Sequence, residues 1–209
     1  MKPIIFFDWD GTLCDSMNLC IHENRITLQK MGLPDQPDEV IRRCNGPTYR
    51  EAVPILQVPP ERTEEYCRIR LETALEIVPQ FNRLYDGARE LLLHLRDRAE
   101  LCIVSNAAAD YLQLCLQIFR LEDVFLRVSA ARPDRTKAQN LAALIAELQP
   151  QKAVMVGDRI GDIQAGKANH LPTIAATFGY GNDAEYAQAD FRVGTMAALE
   201  DLLLQLTKE

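Results

Sequence analysis

The chain has 209 residues, which is enough for one large domain or two modest ones with a sizeable core. Hydrophobic residues make up 47% and charged residues 25%, as in an ordinary globular protein. The formal net charge of −7 argues against nucleic acid or an anionic membrane as the main partner. The first residues lack the pattern of a secretory signal, and no apolar run reaches the roughly 18 residues of a membrane span, so we expect a cytoplasmic protein.

The six cysteines include no Cys-x-x-Cys pair, and the chain is longer than the small secreted proteins that depend on disulfides. We therefore expect reduced cysteines, about half of them small core residues, rather than disulfides or a zinc site. The three histidines, His22, His94 and His170, are scattered and suggest no histidine-based acid–base chemistry.

The first predicted element is a short buried strand at residues 3–7, which are β-branched, aromatic or otherwise apolar. Asp8 and Asp10 follow it, and because they are two positions apart they point to the same side of an extended backbone. Burial of an unpaired carboxylate is costly, so two of them at the end of a core strand require a cation or a chemical role.

Residues 15–79 are expected to be helical, because their pattern lacks the alternation of strands. The predicted helices begin near Ser16, Pro37, Thr48 and Glu61. The last of them runs to residue 78 and is amphipathic, with five apolar residues near one face: Tyr66, Ile69, Leu71, Leu75 and Val78. Candidate hinges lie near residues 14–15 and 79–85, so residues 15–79 are predicted to form a helical domain inserted into a domain made of residues 1–14 and 80–209.

From residue 86 onward, predicted helices and strands alternate. Helices are expected at residues 88–98, 110–119, 137–148, 163–168 and 196–206, and strands at 100–104, 124–128, 152–156, 173–176 and 190–193. This alternation predicts the α/β class, with a doubly wound parallel sheet and an inserted α-helical cap.

Polar groups follow three of the predicted strands. Asp8 and Asp10 follow the first, Ser105 and Asn106 follow the strand at 100–104, and Asp158 follows the strand at 152–156. A single Ser or Asp in such a place is usually a helix cap, but parallel strands place all their carboxyl ends at one edge, so these groups can converge. Lys137, which alone would be taken for a surface residue, begins a helix that can bring its ammonium to the same edge.

This set of side chains suits phosphoryl transfer. Three acids can hold a hard cation such as Mg²⁺, a hydroxyl and an amide can hydrogen-bond phosphoryl oxygens, and a lysine can neutralise their charge. One carboxylate can act as the nucleophile and a second as general acid and then base.

Four sequence motifs resemble those of the haloacid dehalogenase superfamily: DWDGTLCDS at residues 8–16, VSNA at 104–107, TKAQNL at 136–141 and VGDRIGD at 156–162. The following AGKANHLPTIAATFGYGNDAE resembles the phosphoglycolate phosphatase-like branch. Together they extend over the whole chain. The resemblance implies a Rossmann-like core, with the helical insert as a cap that closes over the substrate.

The resemblance also implies the chemical roles. Asp8 would be the nucleophile that becomes an aspartyl-phosphate, and Asp10 would protonate the leaving oxygen and then activate water. Ser105 would bind the phosphoryl group with help from Asn106, and Lys137 would steady both the nucleophile and the phosphate.

The same resemblance implies a metal site. Asp158 would hold Mg²⁺ together with Asp8 and the backbone carbonyl of Asp10, and Asp162 would be a supporting acid near the metal or the lysine. Haloacid dehalogenases and phosphonatases lack an acid at the place of Asp10, so its presence favours phosphate esters.

Two points stay open at this level. Many relatives have Lys-Pro at the third motif, so Arg132 and Arg135 remain alternatives to Lys137. Five residues around the predicted Asn-Gly-Pro turn of the cap could face the site or could equally be exposed polar residues: Arg42, Arg43, Asn45, Thr48 and Arg50.

The favoured function is a Mg²⁺-dependent phosphatase of phosphoglycolate phosphatase type, acting on a small phosphorylated metabolite. The alternatives are a sugar phosphomutase, a pyrophosphatase or nucleotidase of the same superfamily, or a catalytically silent binding protein on this fold. No P-loop motif is present, and we expect a monomer or a homodimer without nucleic-acid or membrane partners.

Overall fold

A computed structural model describes residues 2–207. Its centre is a six-stranded sheet in which every neighbouring pair is parallel. In chain order the strands of this sheet are β1 (Ile4–Phe7), β4 (Glu100–Val104), β5 (Arg127–Ser129), β6 (Ala153–Gly157), β7 (Thr173–Ala176) and β8 (Phe191–Val193). The spatial order is β5-β4-β1-β6-β7-β8, which confirms the predicted α/β fold.

Strand β1 lies in the middle of the sheet, between β4 and β6. Phe7 is in register with Ile103 of β4 and with Val156 of β6, so the three strands end at the same level. The polar residues after these strands are therefore brought together at one edge.

The core helices cover both faces of the sheet. They are α5 (Ala88–Leu95), α6 (Ala109–Phe119), α7 (Lys137–Leu148), α8 (Ile160–Ala168), α9 (Asp183–Tyr186) and α10 (Met196–Leu206). Ile5 and Phe7 belong to an apolar cluster that includes residues of α5, α6 and α10, whereas Ile4 and Phe6 belong to one with residues of α7 and α8. The alternation of side chains along β1 thus supplies both layers.

The insert contains α1 (Met17–Lys30), α2 (Asp38–Arg42), α3 (Tyr49–Ile55), a single 3₁₀ turn (Pro60–Arg62) and α4 (Thr63–Phe81). These helices share an apolar cluster that includes Leu28, Ile41 and Tyr66. Two short antiparallel strands that the sequence did not predict, β2 (Cys14–Asp15) and β3 (Arg83–Leu84), pair at its base. Helix α4 continues past residue 79 to Phe81, and β3 follows at Arg83. The predicted division into a cap at residues 15–79 and a core at 1–14 and 80–209 stays a prediction.

Three predicted elements of the core differ from the structure by three residues at one end. The strand expected at 124–128 lies at Arg127–Ser129, because the Val124 amide closes a turn onto Leu121 before the sheet begins. The helix expected at 88–98 ends at Leu95, whose carbonyl accepts hydrogen bonds from the amides of residues 98 and 99. The helix expected at 163–168 begins at Ile160, so Asp162 lies in its first turn.

The apolar face predicted for α4 is only partly correct. Tyr66, Ile69 and Val78 are buried, but Leu71 and Leu75 are half-buried. The buried face instead includes Ala74 and Ile77, together with the polar residues Arg70 and Thr73. The burial of Arg70 departs most from the prediction, because the hydrophobic periodicity of a helix assigns charged residues to its exposed face.

The six cysteines are free, as predicted, and five of them are buried, which is more than the half expected. No helix within residues 2–207 combines the length and the hydropathy needed to cross a bilayer.

Candidate active site

The site is built around Asp8, which directly follows β1 and is buried. Its backbone amide continues the sheet by donating to the carbonyl of Val156. Its side-chain Oδ1 lies 2.8 Å from Nζ of Lys137, the first residue of α7. Thr136 caps this helix in a capping box, which fixes the position from which the lysine reaches the sheet edge.

Lys137 also forms an ion pair with Asp162. The other two candidates for the third motif, Arg132 and Arg135, are exposed and lie beside Asp134, at 3.4 and 3.7 Å. Of the three basic residues, only the lysine is placed against the nucleophile candidate.

Asp8, Asp158 and Asp162 form a buried acidic cluster whose ligand oxygens all lie within 4.8 Å of one another. Burial, followed by the charge of Asp162, raises the pKa of Asp8 to about 7, while Lys137 opposes this shift. Burial and the charges of the other two acids raise the pKa of Asp158 well above its usual value. Three carboxylates therefore face a single ammonium, and this donor set fits a hard divalent cation such as Mg²⁺.

Asp158 is held by hydrogen bonds to both of its oxygens. The hydroxyl of Thr12 donates to Oδ1 over 3.2 Å, and the backbone amide of Tyr180 donates to Oδ2 over 2.7 Å. Gly11 lies against the same carboxylate with φ of +82°, and a Cβ at this position would overlap the Asp158 side chain. A glycine is therefore required on both conformational and steric grounds.

Tyr180 also contacts the base of the cap. Its hydroxyl oxygen accepts hydrogen bonds from the amides of Ser16 and Met17, at 2.7 and 3.0 Å, and the hydroxyl donates to Asp15 Oδ1. Ser16 is the N-cap residue of α1, near which the helix was predicted to begin, but its side chain makes no capping hydrogen bond, and the tyrosine hydroxyl accepts from the first amides. Nothing in the sequence pattern indicated this link between the acidic cluster and the hinge.

Asp10 lies apart from the acidic cluster. Its Oδ1 accepts a 2.7 Å hydrogen bond from the hydroxyl of Tyr111, which in turn accepts one from Nδ2 of Asn82 at the end of α4. Burial raises the pKa of Asp10, and the hydrogen bond from Tyr111 opposes that shift. The metal role predicted for Asp10 concerns its backbone carbonyl and stays a prediction.

Ser105 directly follows β4 and is buried, and its Oγ accepts a hydrogen bond from the amide of Ala107. Its hydroxyl proton therefore remains free to be donated toward the cavity. The Nδ2 of Asn106 donates to the carbonyl of Gly46 in the cap. The assisting role predicted for Asn106 in phosphoryl binding stays a prediction.

The cap loop at residues 45–47 lies over the site. Arg159 Nη1 donates to the carbonyl of Asn45 over 2.7 Å, while its Nε pairs with Glu185. Gly46 has φ of +103°, and a Cβ there would lie 3.1 Å from Arg159 Nη1. Together with the bond from Asn106, these contacts hold the cap against the core.

The other cap residues predicted to flank the turn do not border the cavity above Asp8 and Asp10, although Thr48 and Arg50 line a neighbouring cavity that also contains Asn106 and Lys137. Arg42, Arg43 and Arg50 are exposed, and Thr48 is the N-cap of α3. Arg50 forms an ion pair with Glu64 at the surface. Of the five candidates, Asn45 is the one that borders the cavity above Asp8 and Asp10.

That cavity has a volume of about 40 Å³. The core side of its lining includes Asp8, Asp10, Ser105 and Asn106. The cap side includes Glu23 and Arg70. The last two form a buried ion pair between α1 and α4 with an N–O distance of 2.6 Å. Sequence reasoning missed both, although a charged residue next to Ile69 on an otherwise apolar helix face was a usable signal.

Comparison with known proteins identifies the family. Tyrosine-protein kinase PtkA of Mycobacterium tuberculosis is 27% identical over 206 residues, which cover 96% of this chain and 70% of that protein. The phosphoglycolate phosphatase of Aquifex aeolicus is 28% identical over 185 residues, with 85% of each chain covered. A structure described as a predicted phosphatase from Clostridium acetobutylicum has the same fold, with a TM-score of 0.89 at 22% identity and coverage of 99% of this chain and 100% of its own.

A family model described as haloacid dehalogenase-like hydrolase matches residues 5–176, a span that contains the acidic cluster, Lys137, Ser105 and the whole cap. Because this match extends over most of the chain, the protein belongs to the haloacid dehalogenase-like hydrolases.

Proposed function

We propose that the protein is a Mg²⁺-dependent phosphatase that hydrolyses small phosphomonoesters through an aspartyl-phosphate on Asp8. The observation that carries this proposal is the 2.8 Å contact of Lys137 with the buried Asp8 carboxylate, beside a cavity that also contains Asp10. The family and the names of the two curated relatives, a kinase and a phosphatase, support phosphoryl transfer.

In the first step, a carboxylate oxygen of Asp8 attacks phosphorus, and the bond from phosphorus to the ester oxygen breaks. Asp10 gives its proton to that oxygen, so the leaving group departs as an alcohol. Burial raises the pKa of Asp10, which favours the protonated form that this step needs. The Ser105 hydroxyl and the Lys137 ammonium bind phosphoryl oxygens and offset their charge.

In the second step, a water oxygen attacks the phosphorus of the aspartyl-phosphate. Asp10, now a carboxylate, accepts a proton from this water, and the bond between phosphorus and the Asp8 oxygen breaks. Inorganic phosphate leaves, and both acids return to their starting states. The closed cap excludes bulk water, so a single ordered water can replace the alcohol.

Asp8 and Asp158 would hold the metal together with the backbone carbonyl of Asp10, and Asp162 of the same acidic cluster would be a supporting acid beside Lys137. A bound Mg²⁺ supplies positive charge to the phosphoryl oxygens and to the acidic cluster. The Thr12 hydroxyl and the Tyr180 amide fix the orientation of Asp158 from behind, as supporting groups of metal ligands do.

The test is phosphate release from a panel of small phosphomonoesters and pyrophosphate, with and without Mg²⁺. We expect Mg²⁺-dependent release that Asp8→Asn lowers by at least about 10³-fold, because the nucleophile is lost. Asp97→Asn, at an exposed acid of the core, is the matched control and should retain wild-type rates.

Two results would contradict the proposal. Equal activity of Asp8→Asn and wild type would exclude the aspartyl-phosphate. The absence of phosphate release from every compound, in a folded protein, would favour a phosphomutase or a catalytically silent binding protein.

A further inference from the structure

The ion pair between Glu23 and Arg70 lies inside the cap and borders the cavity above Asp8 and Asp10. Glu23 is 4% exposed and Arg70 is 3% exposed. Arg70 donates to Glu23 Oε1 through both Nε and Nη2, at 2.8 and 2.6 Å. Its Nη1 donates to the Tyr66 hydroxyl, and its guanidinium lies over the Tyr49 ring at 4.0 Å.

This pair is a poor candidate for a purely stabilising element. Removing both charges from water costs about as much free energy as their attraction returns. Well-packed apolar residues of similar volume often stabilise a fold equally well or better. The surrounding cap cluster is apolar, with Leu28, Ile41 and Val53 among its residues. Because the pair lines the cavity and stabilises the fold little, we expect it to bind a ligand there.

The hydrogen bonding leaves part of the pair available to that ligand. Both bonds from Arg70 end on Oε1 of Glu23, and no side chain among residues 2–207 donates to Oε2. A guanidinium has five N–H donors, of which three are used by Glu23 and Tyr66. The pair therefore offers an acceptor and further donors to a molecule in the cavity.

The charge balance indicates the kind of group that fits. The cavity is lined by the acids Asp8, Asp10 and Glu23, and Arg70 is its one basic lining residue within the described chain. The charge of Arg70 is already matched by Glu23, and that of Lys137 is matched at the phosphoryl end by Asp8 and Asp162. A second anionic group on the substrate would have no free cation to meet it.

We infer that Glu23 and Arg70 form the leaving-group subsite and that this subsite takes an uncharged hydroxyl group. The inference rests on the proposed phosphatase function and narrows its substrate to phosphate esters of small hydroxylated compounds. A hydroxyl can donate to Glu23 Oε2 and accept from Arg70 at once, which a carboxylate cannot do. The cavity volume of about 40 Å³ must also take the phosphoryl group, which favours a small leaving group.

The first test uses the wild-type protein with Mg²⁺ and four substrates that share the phosphoryl group. Glycerol 3-phosphate carries uncharged hydroxyls, phosphoglycolate a carboxylate, O-phosphoethanolamine an ammonium, and acetyl phosphate neither hydroxyl nor charge. We expect kcat/KM for glycerol 3-phosphate to exceed that for phosphoglycolate and for O-phosphoethanolamine by at least about tenfold.

Hydrolysis of acetyl phosphate tests the phosphatase function by itself, because this compound carries no hydroxyl for the proposed subsite. If acetyl phosphate is hydrolysed and kcat/KM for phosphoglycolate equals or exceeds that for glycerol 3-phosphate, the subsite inference is overturned. The phosphatase chemistry then remains in place. Failure to hydrolyse any of the four would overturn both.

The second test uses Glu23→Gln, which removes the charge and keeps the shape. We expect the ratio of kcat/KM for glycerol 3-phosphate to that for acetyl phosphate to fall by at least about tenfold, as for a lost hydrogen bond to a charged group. The control is Glu72→Gln, because Glu72 forms an exposed ion pair with Arg68 on α4 and should leave the ratio unchanged. An unchanged ratio in Glu23→Gln would overturn the subsite, and if this variant does not fold, the wild-type comparison alone decides.

Discussion

The core and the cap each bury a cluster of charged side chains, and the two clusters differ in charge balance. In the core, Lys137 faces the three carboxylates of Asp8, Asp158 and Asp162. In the cap, Glu23 and Arg70 match each other. An unbalanced acidic cluster suits a metal and the phosphoryl group that binds to it, whereas a balanced pair suits a neutral polar group.

The comparison predicts the largest effect for the cation of the core cluster. Lys137→Gln removes the only buried ammonium beside Asp8 and leaves three carboxylates without a basic partner from the described chain. We expect kcat to fall by at least about 10³-fold and the free energy of unfolding without metal to fall by about 3 kcal/mol. Steady-state kinetics and denaturant titration measure the two effects.

The control for that variant is Lys167→Gln, which changes an exposed lysine of α8. It should alter neither kcat nor stability measurably. If Lys137→Gln kept its activity while Arg132→Gln or Arg135→Gln lost it, the assignment of the third motif to the lysine would be wrong.

Tyr111→Phe tests how Asp10, the proposed general acid, is held. The variant removes the 2.7 Å hydrogen bond to Asp10 and keeps the ring, so we expect kcat to fall by about 10- to 100-fold. That hydrogen bond lowers the pKa of Asp10, so its loss raises this pKa. The basic limb of the pH profile of kcat/KM, where the acid loses its proton, should therefore move to higher pH.

Tyr186→Phe is the matched control, because the Tyr186 hydroxyl is also buried and makes no hydrogen bond to another side chain among the described residues. Its pH profile should coincide with that of the wild type. A Tyr111→Phe profile that coincided as well would show that the tyrosine only supports the packing of α6.

Magnesium and pH test the acidic cluster in a third way. Without metal, the pKa of Asp8 rises from about 4 in the unfolded chain to about 7 in the fold. Its protonation therefore contributes stability that is fully present below pH 4 and is lost as the pH rises through 7. Because Mg²⁺ competes with this proton, we expect the metal to raise Tm by several degrees more at pH 8 than at pH 5.5.

Thermal melts with and without about 10 mM MgCl₂ measure this difference. In Asp8→Asn the dependence on pH should be weaker, because one of the two acids with a raised pKa is gone. A metal-induced shift in wild type that did not change with pH would contradict the assigned ligands.

The core site could be predicted from sequence because its residues occupy fixed places at strand ends. Phe7, Ile103 and Val156 are in register, and so Asp8, Ser105 and Asp158 follow at one edge whatever the loops do. The cap site could not be predicted in this way. The position of Arg70 depends on which face of α4 packs against α1, and the apolar pattern placed that face around Leu71 and Leu75 instead.

The same reasoning explains the supporting tyrosines. Tyr111 and Tyr180 reach Asp10 and the hinge through side-chain and loop geometry that no spacing rule describes. Asn106 is an intermediate case, since its place at a strand end was predicted and its partner, the Gly46 carbonyl of the cap, was not. Sequence therefore located the polar groups at the strand ends, to which we assign the phosphoryl chemistry, and missed those that join core to cap.

The smallest expected effect concerns that junction and compares two glycines of the cap. Gly46 and Gly32 both have positive φ, at +103° and +66°, so alanine is strained at either position and should cost about 1 kcal/mol of stability. At Gly46 the new Cβ would also lie 3.1 Å from Arg159 Nη1, whereas at Gly32 no atom lies within 4 Å. Gly46→Ala should therefore hinder cap closure and lower kcat/KM by about three- to fivefold, while Gly32→Ala should leave kcat/KM unchanged. Equal kcat/KM in the two variants would mean that the contact between Arg159 and the cap loop does not control closure, and that the Asn106–Gly46 hydrogen bond and the pairing of β2 with β3 suffice.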